Sequence, residues 1–346
     1  MPELRQDPIT KKWVIIATER SKRPSDFPIK QDKKKGGNCP FCKGNEDKTP
    51  PEIMAYREQG TNRDTPGWWI RVVPNKFPAL QPGASEPEKQ NFYLTRPGAG
   101  AHEVLVESPE HNSSLANHST QQIREIFHAW RDRYQALVNQ DEIKYIQIFK
   151  NEGAVAGASL EHPHSQLIAT PLIPPVVAEE LTGSQSYHET QGKCIYCEMI
   201  KQETQEKTRL VAENEHFLVF CPFASRFPFE TWVITKQHQA SFEEIKDEQL
   251  QDMSEIIQGT IQKTAGLLNY PPYNMVLHSA PVGYNNAAYY HWHLEIFPRL
   301  TIVAGFEWGT GIIINPTPPE TAAKYLREVS IDHGQEKEEL SWQEIH

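Results

Sequence analysis

The stretch Asn151–Gln166, NEGAVAGASLEHPHSQ, is a run of small residues that ends in two histidines held one residue apart by a proline. Gly153, Ala154, Ala156, Gly157, Ala158 and Ser159 leave the backbone uncovered, so its N–H groups are expected to come close to a phosphate. Pro163 fixes its own φ and pushes His162 toward extended geometry. The two imidazoles are expected to face opposite ways, one serving structure and the other facing substrate. Ser165 and Gln166 add neutral hydrogen-bonding groups suited to phosphate oxygens. Alone, an H-x-H of this kind reads as two surface histidines beside a strand. The glycine-rich approach and the cysteines elsewhere in the chain favour a site.

Outward from this stretch, Tyr145–Phe149 reads as the strand that delivers the loop and Gln166–Ala169 as the next strand. Upstream, Ser119 opens a helix, with Gln122 completing a capping box and Ile123, Ile126, Phe127, Trp130, Tyr134, Leu137 and Val138 repeating at the helical period. Trp13–Ile16, Trp68–Val73 and Glu103–Glu107 read as earlier strands. Cys39-Pro40-Phe41-Cys42 resembles a zinc knuckle, and the Pro-rich segment Pro171–Pro175 closes the first half.

The second half repeats the order. Cys194-Ile195-Tyr196-Cys197 is again C-x-x-C, and strands Phe217–Phe220 and Trp232–Thr235 lead to His238. Ser241 is expected to open a long helix with Glu244 completing its capping box. Its stripe is Ile245, Leu250, Met253, Ile256, Ile257, Ile261 and Leu268. Strand Asn274–His278 precedes His291-Trp292-His293 and the strand Leu294–Phe297. An order of knuckle, strand, histidine, helix, strand and H-x-H that occurs twice implies internal duplication. The expected fold is α+β, mainly antiparallel sheet with one long helix per half, divided as residues 1–175 and 176–346.

Zinc in a closed structural site takes four N/S ligands, and Cys2His2 is a common set. The spacing suggests Cys39, Cys42, His111 and His162 for one ion and Cys194, Cys197, His238 and His291 for a second, two zinc per chain. Cys221 is left over as a small buried apolar group. His102, His118, His128 and His188 belong to no pattern and receive no role.

The 346 residues suggest about two domains at ~150 residues each. A net charge of −10 argues against nucleic acid as the main partner. No apolar run approaches a membrane span and no secretion signal is evident. A cytoplasmic location is expected. The basic segment Glu19–Pro24 reads first as a solvated loop, the commoner fate of such a charge run, and it is also one of the few places where two arginines, Arg20 and Arg23, lie close enough to clamp a phosphate.

Taken together, these residues resemble the galactose-1-phosphate uridylyltransferases of the histidine-triad superfamily. The likeness runs through Arg20–Pro24, Cys39/Cys42, Asn75, Ser108–His111, Asn151, Ser159, HPHSQ at 162–166, Phe223–Glu230, Lys236–His238, His291-Trp292 and Gly305-Phe306-Glu307. It implies two fused histidine-triad-like domains, a homodimer, and two-step nucleotidyl exchange between a nucleotide sugar and a sugar 1-phosphate. His164 corresponds to the covalent nucleophile and His162 to a zinc ligand. Gln166 and Ser165 correspond to phosphate contacts, Asn75 and Asn151 to nucleotide contacts, and Glu307 to a sugar contact. UDP-glucose and galactose 1-phosphate are the expected pair, linked by a nucleotidyl-histidine.

Familiar bacterial members read HPHGQ, however, and Ser165 matches a branch that includes phosphorylases of ADP-glucose. Some members bind iron in the second half through a glutamate and several histidines. Glu295 and Phe297 stand near those histidine positions here, and a second zinc is expected instead. A non-catalytic zinc-ribbon module is the reading from a different class. Between the two H-x-H motifs, His164 is the expected nucleophile. Bulky Tyr284, Tyr289 and Tyr290 precede His293, and Glu295 beyond it would repel phosphate.

Overall fold

The computed structural model describes residues 1–18, 22–27, 39–83 and 86–330. Glu19, Arg20 and Ser21 lie outside the described residues, so the expected phosphate clamp is described only at Arg23.

The chain runs β1 (Glu3–Gln6), β2 (Trp13–Ile16), β3 (Met54–Arg57), β4 (Trp68–Pro74), β5 (Glu88–Gln90), β6 (Tyr93–Thr95) and β7 (Ala101–Val106). Next come α1 (Thr120–Val138), β8 (Tyr145–Glu152), β9 (His164–Thr170), α2 (Pro175–Gln191), α3 (Ile195–Glu206), β10 (Leu210–Glu213), β11 (Phe217–Phe220) and β12 (Thr231–Thr235). It ends with α4 (Asp247–Leu268), β13 (Tyr273–His278), β14 (His293–Pro298), α5 (Gly305–Thr310), β15 (Ile313–Asn315) and α6 (Pro319–Glu328).

Ten strands form one antiparallel sheet in the order β10-β11-β12-β14-β13-β8-β9-β7-β4-β3. Five come from each half, and the halves meet edge to edge where β8 pairs with β13, Asn151 opposite Asn274. A small sheet β1-β2-β15 ties residues 3–16 to the far end of the chain, with β15 parallel to β2. The fold class is thus α+β with a dominant antiparallel sheet. Among the described residues, no helix is long and apolar enough to cross a membrane.

Strand alternation decides which residues can reach a site, because successive side chains take opposite faces. One face of the sheet carries α1 and α4, whose stripes Ile123, Ile126, Phe127, Trp130, Tyr134 and Leu250, Met253, Ile257, Ile261 pack into one core with Leu105, Ile148, Leu167, Met275 and Leu294. In the second half the opposite face is covered by α2 and α3, which bury Leu218, Phe220, Trp232 and Ile234. In the first half a smaller cluster of Phe41, Trp68, Val73, Val104 and Val106 occupies that face.

Three expectations change here. Ser119 does cap α1, its side chain accepting from the Gln122 N–H at 3.1 Å. The Gln122 side chain instead donates to the carbonyls of Trp69 and Glu107, so only half of the expected box forms. The second long helix starts at Asp247 rather than at Ser241. Residues Phe242–Glu244 make a single 3-10 turn and Ile245 is extended, because Phe242 and Ile245 are both buried in the core and the Ser241 hydroxyl turns to Ser279. The second half also holds α2 and α3, which the expectation of one long helix per half omits. The expected division after residue 175 falls at the first residue of α2.

Candidate active site and metal centres

Cys39, Cys42, His111 and His162 converge so that one ligand atom from each lies within 4.8 Å of the others, and Cys194, Cys197, His238 and His291 do the same. In the first set, the Cys42 Sγ stands 3.4 Å from His111 Nδ1 and 3.6 Å from His162 Nδ1. In the second, the Cys197 Sγ stands 3.4 Å from His238 Nδ1 and 3.8 Å from His291 Nδ1. The S···N edge of a tetrahedral zinc site is about 3.5 Å from its bond lengths, so both sets have the size of a closed zinc centre.

The outer partners agree. His162 Nε2–H donates to the Ser108 carbonyl at 2.7 Å, and His291 Nε2–H to the Thr235 hydroxyl at 2.6 Å, which turns each Nδ1 lone pair toward the sulfurs. Burial and the neighbouring Cys39 push the Cys42 thiol up to about 11, a crowding of thiols that a cation would relieve. Either set can hold a metal ion. The knuckles differ locally, since Cys39–Cys42 is a turn whereas Cys194 caps the start of α3.

Each H-x-H follows its own metal set. His164 Nδ1–H donates to the His162 carbonyl at 2.8 Å, and His293 Nδ1–H to the His291 carbonyl at 3.1 Å. In a neutral imidazole this leaves the Nε2 lone pair free for chemistry. Burial lowers the His164 pKa and favours that neutral form. The two rings of the first motif do not face opposite ways: Phe41 meets His162 at 6.1 Å and His164 at 5.6 Å between ring centroids. Residues two apart in an extended chain share a side, and the proline between them preserves this.

Strand alternation also corrects the expectation for Ser165. Its hydroxyl accepts from the Trp130 indole N–H at 2.8 Å on the helix-covered face, fully buried and turned away from His164. Gln166 returns to the His164 side. There its Oε1 lies 2.8 Å from His102 Nε2, and Asn75 Nδ2 lies 3.1 Å from the same nitrogen. His102, given no role from the sequence, thus joins two expected nucleotide-site residues. Beneath His164, the buried Lys150 ammonium pairs with Glu107 at 2.7 Å and reaches the His164 carbonyl at 3.4 Å.

The small-residue loop needs its glycines. Gly153 sits at φ +83°, where an added Cβ would also press on Pro272, and Gly157 at φ +93°. Part of the expected phosphate cradle is spent inside the loop: the N–H groups of Ala156, Gly157 and Ala158 donate to the carbonyls of Gly153 and Ala154. Asn151 accepts from Asn274 Nδ2 at 2.7 Å across the seam between halves. Ser159 lines a cleft of about 520 Å³ shared with Glu152, Glu161 and Tyr270. Arg23 is exposed. Glu307 lies in the first turn of α5, where it accepts from the Ala304 N–H at 3.0 Å, and no hydrogen bond or ion pair among the described residues ties it to the His164 group.

The second motif is sealed. His293 stacks between Trp232 and His278, centroids 4.4 and 5.0 Å away, with Tyr196 at 5.4 Å. His278 is held between Glu180 of α2 at 2.9 Å and Glu295 at 3.4 Å, and these carboxylates raise its pKa to about 10 despite burial. Arg226 binds Glu295 at 2.6 Å and Glu230 at 2.8 Å. Glu295, which stands near a histidine position of the iron-binding pattern, is therefore balanced by protein cations.

Comparison with known proteins agrees with these features. The family model described as galactose-1-phosphate uridyl transferase, N-terminal domain, matches residues 1–174, and a model of a domain of unknown function matches residues 99–340. An ADP-glucose phosphorylase from Arabidopsis thaliana is 40% identical over 95% of this chain and 93% of its own. A galactose-1-phosphate uridylyltransferase from Thermotoga maritima is 32% identical over 96% of this chain and all of its own. The crystal structure of an Arabidopsis thaliana ADP-glucose phosphorylase with bound ADP-glucose superposes with a TM-score of 0.80, at 38% identity, over 96% of this chain and all of that one.

Proposed function

The chain belongs to the galactose-1-phosphate uridylyltransferase family, and from that premise we propose that it transfers a nucleoside monophosphate from a nucleotide sugar through His164. The single observation that carries this reading is the His164 imidazole, fixed by its Nδ1–H bond to the His162 carbonyl, which leaves the Nε2 lone pair for chemistry on the sheet face opposite α1 and α4. A neutral imidazole attacks phosphorus without a separate base. Nε2 forms a bond to the α-phosphorus of the nucleotide sugar as the bond to the sugar phosphate breaks, releasing a sugar 1-phosphate. An acceptor phosphate oxygen then attacks the nucleotidyl-imidazole and returns His164 to its starting form.

ADP-glucose with inorganic phosphate is the preferred pair in this reading, giving glucose 1-phosphate and then ADP. Its support is the similarity at 40% to an ADP-glucose phosphorylase against 32% to a uridylyltransferase, together with Ser165. Exchange of UMP between UDP-glucose and galactose 1-phosphate, placed first from the sequence, becomes the second reading. Gln166, Asn75, Asn151 and Ser159 would contact the nucleotide and its phosphates, with Glu307, Arg20 and Arg23 at the sugar and phosphate ends. Zinc held by each Cys2His2 set would be structural, fixing the segments on which His162 and His291 sit.

The mirrored strand order and the matching Nδ1 contacts support an origin by duplication, with a histidine-triad-like unit in each half and the division near residue 175. A homodimer in the cytoplasm completes the proposal. Purified protein is offered ADP-glucose or UDP-glucose, each with phosphate or galactose 1-phosphate, and glucose 1-phosphate release is timed. ADP-glucose with phosphate is expected to be the fastest combination. UDP-glucose with galactose 1-phosphate outpacing it would restore the uridylyl reading, and no release from any combination would leave a zinc-binding module without catalysis.

A further inference from the structure

We propose that His102 is a positioning residue that orients the Gln166 amide, so that its NH2 group serves the phosphates of the nucleotide reacting at His164. The inference rests on the nucleotidyl-transfer reading and adds to it a residue that lies outside both metal sets and both H-x-H motifs.

Two contacts define the tautomer. The Ala79 backbone N–H donates to His102 Nδ1 at 3.1 Å. A backbone N–H can only donate, so Nδ1 holds a lone pair and the proton of the neutral ring sits on Nε2. Nε2–H is 2.8 Å from Gln166 Oε1 and donates to it. With its oxygen taken, what Gln166 can present to a ligand is its NH2 group.

Asn75 is fixed by the same logic. Its Oδ1 accepts from the Phe77 N–H at 2.9 Å and its backbone N–H donates to the His102 carbonyl at 2.8 Å. Its Nδ2 lies 3.1 Å from His102 Nε2, but an NH2 group facing the Nε2–H makes no hydrogen bond with it, so Nδ2 remains a second donor for a ligand. Gln166 follows His164 by two residues on the same strand face, a separation of about 6.6 Å, within the span of a diphosphate. Both amides thus point donors at a ligand rich in acceptor oxygens. Without His102, the Gln166 amide could turn its oxygen toward phosphate and repel it, whereas Asn75 stays set by the Phe77 N–H.

The test combines activity with a direct view of the ring. His102→Leu should lower the first-order rate of nucleotide transfer to His164 in single turnover roughly tenfold or more, because a whole preorganised donor is commonly worth 10²–10³, while KM changes little. His102→Gln, which keeps an N–H donor near the Nε2 position, should recover most of the rate. In a Gln166→Ala background, His102→Leu should add less than about twofold, since the two residues act as one unit. Additive losses, or no recovery in the Gln variant, would overturn the proposal.

Nitrogen-15 NMR of the histidine side chains, with the His102 signal assigned by its absence from the variant, should show the Nε2–H tautomer in the ligand-free protein. The Nδ1–H tautomer would sink the proposal whatever the activity. A wild-type protein that takes no label from ADP-glucose or UDP-glucose would refute the transfer reading instead, and the tautomer would still decide how Gln166 is oriented.

Discussion

The two H-x-H motifs are alike in backbone, in their neighbouring Cys2His2 sets and in their Nδ1 bonds, yet they stand under differently covered halves of one sheet face. Phe41 is the aromatic neighbour of His162 and His164, and Tyr196, at the matching place in the second knuckle, is that of His291 and His293. The second half, however, lays α2 and α3 over its motif and places Trp232, His278 and Glu180 around His293, which is fully buried. The first half leaves that face to a small cluster and to the amides of Gln166 and Asn75. On the proposed reading, the local motif prepares a nucleophile and the covering layer determines whether it is used.

The histidines themselves should show the largest effect. His164→Asn should lower kcat by roughly 10³ or more, and label from a radioactive nucleotide sugar should be trapped on His164 in an acid-labile, base-stable linkage in the wild type. His293→Asn should keep most of the activity per folded molecule. Label retained in His164→Asn and lost in His293→Asn would reverse the roles of the halves.

Metal analysis comes next. Protein purified without added metal should carry about two zinc per chain, and Cys39→Ser or Cys194→Ser should each lose one with a large fall in melting temperature. Losing the first metal should also depress the single-turnover rate, because His162 carries the carbonyl that fixes His164. Losing the second should act mainly on stability. One zinc with one iron per chain would refute the second ligand set.

Acid–base titration probes the electrostatic side of the contrast. The His278 pKa is raised to about 10 in the folded protein from an ordinary value near 6.5. A raised pKa gives stability that is fully present below about 6.5 and is lost as pH rises toward 10. The urea midpoint should therefore decline across that window, and His278→Gln should flatten the decline. An unchanged slope would mean that His278 is not charged between its two glutamates.

The smallest effect concerns Ser165. Ser165→Ala leaves the Trp130 indole N–H without its partner and should cost about 1–3 kcal/mol of stability, while transfer rates stay within a few-fold. A loss of roughly a hundredfold in rate would return Ser165 to the phosphate site.

Much of this architecture is legible in the amino-acid sequence. Apolar periodicity places α1 and most strands, and the cysteine and histidine spacing picks out the two Cys2His2 sets that the fold brings together. The start of α4 is obscured because Ser241–Glu244 carries the letters of a capping box, which a buried Phe242 and Ile245 override. Helix α2 escapes for another reason: its buried stripe is Val177, Glu180, Leu181 and Ser184, half of it polar, so no apolar signal marks it. The same disguise hides Glu180. His102 carries no signal of its own, because its partners are 27 and 64 residues away and only strand pairing joins them. A glutamine two residues after a candidate nucleophile is the available clue, since its amide needs something to set its orientation.

The small sheet β1-β2-β15 also bears on synthesis. Ile16 pairs with Asn315, and Val14 with Ile313, across nearly the whole chain. At about 5–20 residues per second, roughly 15–60 s of translation separate the making of β2 from the making of its partner. For that interval Trp13-Val14-Ile15-Ile16 is an apolar strand with one edge open, the kind of surface that seeks another chain. The nascent protein therefore makes its adhesive segment long before its cover, and a ribosome halted before Ile313 should leave a product that clings to chaperones or to its own copies.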